Sequence, residues 1–87
     1  MWVYILKCVP EIGEWEFYVG YTTDLKARIK KHACGATKTT RRFREVKLVY
    51  YEASLSAKDS RKREKQLKTG FGRGYVNKRL EDYLKRD

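Results

Sequence analysis

Three side chains in one stretch have the means to do chemistry: Tyr18, Arg28 and the single histidine His32, within F-Y-V-G-Y-T-T-D-L-K-A-R-I-K-K-H, the run from Phe17 to His32. Arg28 and His32 are four residues apart, so on a helix they stack on one face, a fixed cation beside a group that exchanges protons near neutrality. If the chain does chemistry, it does it here. The plainer reading is an ordinary basic helix with a packing or solvated histidine.

The elements that position these residues follow from pattern. Trp15, Phe17 and Val19 alternate with Glu16 and Tyr18, a strand that should end at Gly20, whose glycine permits a tight turn. Thr23 is expected as the N-cap of the next helix, with Asp24 in its first turn opposing the dipole. Leu25, Ile29 and Ala33 recur every four residues, which puts Arg28 and His32 beside the apolar stripe, at the rim of the sheet. Upstream, Trp2 to Cys8 is apolar on both faces and suits a central strand. Pro10 and Gly13 mark a turn from Val9 to Glu14, so the two strands should form an antiparallel hairpin. A register pairing Tyr4 with Tyr18 would set both hydroxyls on one face, and a slip of one residue would separate them.

A third strand is expected with Val46, Leu48 and Tyr50 on one face and Val49 and Tyr51 on the other. Ser56 opens a helix, with Asp59 three residues later. Ala57, Glu64 and Leu67 share one side of it, so Glu64 is the acid on the inward stripe. A carboxylate there needs a cation partner, and the choice is a metal or one of Arg61, Lys62, Arg63, Lys65 and Lys68. Gly70, Gly72 and Gly74 should punctuate a turn carrying Phe71 and Arg73; they form no dinucleotide fingerprint. Val76, Leu80, Tyr83 and Leu84 give a closing helix its packing face, and Lys85, Arg86 and Asp87 are expected to fray. The expected fold is α+β: a small, mostly antiparallel three-stranded sheet flanked by helices in the order ββαβαα, one domain over residues 1–87.

A formal net charge of +10 and a pI of about 9.8 on 87 residues point to a polyanionic partner, most plausibly nucleic acid. The connection from Gly35 to Glu45 holds Lys38, Arg41, Arg42 and Arg44, and its threonines could add hydrogen bonds to phosphate oxygens. No apolar run reaches membrane-spanning length and no signal peptide is visible, so the cytoplasm is the expected location, without a membrane partner. Cys8 and Cys34 match no metal or redox spacing and are read as reduced and structural.

These stretches together resemble the GIY-YIG nuclease superfamily, in particular small single-domain members similar to the catalytic module of the nucleotide-excision repair endonuclease. Trp2-Val3-Tyr4 stands where the family has G-I-Y, and Tyr18-Val19-Gly20 where it has Y-I-G. Asp24 to His32 matches the helix with its arginine and a histidine or tyrosine four later, and Arg61 to Lys68 the segment holding a metal-binding glutamate. Tyr21 stands where many members carry a lysine, and Asn77 roughly where many carry a late asparagine. The resemblance implies metal-assisted hydrolysis of phosphodiester bonds, structure- or strand-selective, in DNA more than RNA, with a place in repair or recombination; no helix-turn-helix, zinc module or appended recognition domain is visible, so sequence preference should be weak. It implies Mg2+ or Mn2+ held by Glu64, Tyr4 or Tyr18 deprotonating or positioning the attacking water, Arg28 stabilising phosphate charge, and His32 assisting a tyrosine or carrying a proton. Arg63 and Lys68 join the basic loop as expected nucleic-acid contacts. A non-catalytic nucleic-acid-binding module of the same fold is the alternative.

Overall fold

Alternation and capping chemistry set the elements of the computed structural model, which describes residues 1–85. The strands are β1 (Trp2–Val9), β2 (Glu16–Thr22) and β3 (Glu45–Ala53), and the helices α1 (Leu25–Ala33), α2 (Ala57–Leu67), α3 (Gly70–Arg79) and α4 (Glu81–Lys85). The sheet order is β2-β1-β3 and both pairings are antiparallel. Apolar on both faces, β1 takes the centre, as its sequence requires.

Alternate residues of β1 serve two cores. Val3 and Ile5 pack with Leu67 of α2 and Val76 of α3 on one face, and Tyr4, Leu6 and Cys8 pack on the other against Leu25 and Ile29 of α1 and Phe43. All five of these β1 residues are essentially inaccessible, so the domain is held from the middle strand outward. Both thiols are free, Cys8 buried and Cys34 exposed.

Several local expectations are corrected. β2 does not end at Gly20 but runs to Thr22, and Gly20 has no positive φ. It lies opposite Tyr4, and a Cβ there would fall on the Cζ and hydroxyl of that ring. The glycine is thus there for space. Tyr18 pairs with Leu6 rather than Tyr4; the offset is two residues, so both tyrosines still share a face. The α1 cap is Asp24 rather than Thr23, its carboxylate accepting from the Ala27 N–H at 3.1 Å. The Thr22 hydroxyl braces that cap by accepting from the Asp24 N–H at 3.1 Å.

In β3 an irregularity falls where Ile5 pairs with Tyr50 but Leu6 with Leu48. Val49 is the extra residue, and it turns Tyr50 away from Leu48 to the Val3 and Ile5 face. The three glycines lie within α3 and not in a turn, and the closing helix is divided at Leu80. Thr69 caps α3, and a Cβ on Gly72 would overlap the Leu67 backbone, so this glycine permits the close approach of α2 and α3. Lys85 ends α4 paired with Glu81 at 3.2 Å rather than fraying, while residues 86 and 87 lie outside the described residues.

Candidate active site

Tyr4 leaves the central strand over Gly20, and its hydroxyl lies 3.0 Å from His32 Nε2. Arg28, one turn earlier on α1, is near enough for its positive charge to act on the same hydroxyl. The Tyr18 ring stands 5.4 Å from the His32 ring and 6.4 Å from the Tyr4 ring, centre to centre. Glu64, from α2, is near enough for its charge to act on Tyr4. Side chains from β1, β2, α1 and α2 thus converge, although Tyr4 and His32 are almost wholly buried.

Burial sets the resting protonation. It pushes the Tyr4 phenol up to about 12, with Tyr18 and, more weakly, Glu64 adding to the rise, while the positive charge of Arg28 pulls the other way. Burial also holds His32 below its ordinary value, and the Arg28 guanidinium reinforces this. At neutral pH the pair is a neutral phenol against a neutral imidazole.

The other ring nitrogen, Nδ1, lies 2.7 Å from the hydroxyl of Thr40, which is itself buried. This partner was not singled out from sequence; Thr37, Thr39 and Thr40 stand alike in the basic loop, and only the fold turns one of them inward. With His32 as its neighbour, Thr40 is not the phosphate contact expected of a loop threonine. Lys38, Arg41 and Arg44 are exposed and make no ion pair among the described residues. Arg42 pairs with Glu16 at 3.4 Å, both largely exposed, and lies over the Phe43 ring at 4.0 Å.

The other two expected contacts are engaged elsewhere. Arg63 grips the Glu52 carboxylate through Nε and Nη2 at 3.0–3.1 Å and lies over the Tyr75 ring. Burial would raise the Glu52 carboxyl, but hydrogen bonds from Arg63 and Tyr50 hold it below its ordinary value. Lys68 Nζ binds Glu64 Oε2 at 3.2 Å, the structural pairing that spacing allowed. Lys68 also edges an open cleft of about 580 Å³ on the Ile5 face of the sheet, lined by Phe17, Val19, Val76 and Asn77.

Among the described residues no three His, Cys, Asp or Glu side chains gather as a metal site. Glu64 offers one hard, partly exposed carboxylate, which fits an ion that keeps several waters and draws further ligands from substrate phosphate, and does not fit a fully protein-ligated one.

The fold is a small α+β scaffold that gathers these side chains at the meeting of β1, β2, α1 and α2. Residues 1–80 match the GIY-YIG catalytic domain, and the chain belongs to that family, a nuclease superfamily. It is similar to a UPF0213 protein of Staphylococcus haemolyticus, 39% identical over 82 residues covering 93% of this chain and 94% of the relative. A UPF0213 protein of Clostridium perfringens is 44% identical over 77% of this chain and 69% of its own length. One from Staphylococcus epidermidis is 40% identical over 77% and 78%. No solved structure matches the chain. Among the described residues no helix is long and apolar enough to cross a membrane.

Proposed function

We propose that this chain is a divalent-metal-dependent endonuclease that hydrolyses DNA phosphodiester bonds, selecting strand or structure more than sequence, in repair or recombination. The observation that carries this reading is the hydrogen-bonded Tyr4–His32 pair with Arg28, Tyr18 and Glu64 around it. Weak sequence preference is expected of a chain whose exposed cations suit backbone contacts.

Tyr4 with a pKa near 12 is no base by itself at neutral pH. Its hydroxyl instead relays: the oxygen takes a proton from the attacking water while its own proton passes to His32 Nε2, 3.0 Å away. At rest Arg28 and burial oppose charging that imidazole. A substrate phosphate seated against Arg28 supplies the anion that offsets this field, so the relay switches on when the scissile group arrives. Arg28 then also carries part of the charge growing on phosphorus. Glu64 would hold Mg2+ or Mn2+, which, when bound, polarises a phosphate oxygen and acidifies water. For Glu64 to serve, Lys68 must let go of it and becomes available to the DNA backbone.

That same Glu64–Lys68 pair favours the second reading, a nucleic-acid-binding module in which both residues are structural. Labelled single-stranded, duplex, nicked and branched DNA and RNA, offered to wild type and Glu64→Gln with magnesium, manganese or chelator, separate the two. Metal-dependent cleavage lost in a folded Glu64→Gln that still binds DNA supports the nuclease. Salt-sensitive binding without cleavage of any substrate supports the module.

A further inference from the structure

We infer that Thr40 is a positioning residue that fixes the His32 tautomer, and with it the direction in which the Tyr4 proton can move. The donor inventory at Tyr4 leads there. The positive charge of Arg28 acts on the Tyr4 hydroxyl and favours its oxygen lone pairs on that side, which leaves the phenol's own hydrogen for His32 Nε2 at 3.0 Å. Nε2 accepts only if the neutral ring carries its proton on Nδ1. Nδ1–H then donates to Thr40 Oγ1 at 2.7 Å. The opposite tautomer would point Nε2–H at a buried phenol and strand the phenol's hydrogen, the more acidic of the two hydroxyl protons at the ends of this chain.

Thr40 is held well enough to do this. Its N–H and that of Arg41 both donate to the Thr37 carbonyl, at 3.2 and 3.0 Å, and its own carbonyl accepts from Phe43 N–H at 3.1 Å. Phe43 packs into the core around Tyr4, and Arg44 N–H ties the loop to the Val9 carbonyl of β1 at 2.8 Å. A hydroxyl also suits the task better than a carboxylate. It orients the ring without a negative charge that would hold the imidazole protonated at rest.

The kinetic consequence rests on the nuclease reading; the tautomer does not. With a single histidine in the chain, long-range proton–nitrogen correlation on 15N-histidine protein reports the tautomer without assignment ambiguity. Wild type and Thr40→Ser should carry the proton on Nδ1, and Thr40→Val should move the ring toward Nε2–H. On any DNA that wild type cuts, Thr40→Val should lower kcat by about 10–100-fold with DNA affinity unchanged, and Thr40→Ser should restore most of it. A wild-type ring protonated on Nε2 overturns the inference even if Thr40→Val fails to fold. So does a folded Thr40→Val with wild-type tautomer and wild-type kcat. If wild type cuts nothing, the nuclease reading fails while the nitrogen spectrum still decides the role of Thr40.

Discussion

Replacing Gly20 with alanine drives a methyl group into the Tyr4 ring, and the structure leaves that ring nowhere to go. Tyr4 is 1% exposed, its hydroxyl is bonded to His32 with the Arg28 charge acting on it, and a Cβ at Gly20 would fall on its Cζ and hydroxyl. Overpacking a core by one carbon costs about 1–3 kcal/mol, and the strained Tyr4–His32 hydrogen bond puts this case in the middle, at roughly 2 kcal/mol. For a domain of this size that lowers Tm by about 8–16 °C. The assay is thermal and urea unfolding of Gly20→Ala, Tyr4→Leu and the double variant. Leucine removes the atoms that collide, so the double variant should be more stable than the sum of the single losses implies, with a coupling of about 1 kcal/mol or more. DNA binding through the basic loop should survive in all three while cleavage falls. A Gly20→Ala protein as stable as wild type, with an unshifted His32 spectrum, would refute the packing on which the whole site depends.

Acid should weaken the fold through His32. Its folded pKa lies below the ordinary 6.5, so its contribution to stability is full above that value and is lost as pH falls from there toward the folded pKa. Denaturant titrations at pH 7.5, 6.0 and 5.0 should show a loss of at most about 1.4 kcal/mol per pH unit, reduced in His32→Gln. Gly74 is exposed in α3 with nothing near its missing Cβ, so Gly74→Ala should stabilise by about 0.5–1 kcal/mol, whereas Gly72→Ala should destabilise through the Leu67 backbone; calorimetry of both checks the opposite signs. Lys38→Ala and Arg41→Ala should each lower the slope of log affinity against log salt on duplex DNA by about 0.9 if each meets one phosphate, and by nothing if the loop faces solvent in the complex.

Patterns with a short period were legible in the sequence. The two-faced apolar run of β1 gave its central place, and the four-residue spacing of Arg28 and His32 put both beside Tyr4. What escaped were features that depend on a partner distant in the chain. Gly20 looked like a turn because nothing nearby in sequence shows the ring that occupies its missing side chain. Tyr50 changed face because one extra residue in β3 is invisible to a strict alternation. The α3 glycines looked like a turn because helix propensity disfavours them, and packing of Gly72 against Leu67 overrides it. Arg63 counted as one more cation until Glu52, eleven residues earlier, claimed it.

That last engagement has a bearing on genetics. Arg63 neighbours Glu64 in α2, and its grip on Glu52, with Tyr50 donating to the same carboxylate at 2.6 Å and contacting Tyr75, anchors the helix to β3 and α3. An alanine scan scored by loss of cleavage will therefore return Glu52, Tyr50 and Arg63 among its strongest hits. Read naively, those hits would sketch a second acid and a second base and suggest a two-carboxylate reaction. Their signature is different: they should lose protease resistance together with activity, whereas Glu64→Gln should lose activity with protease resistance kept.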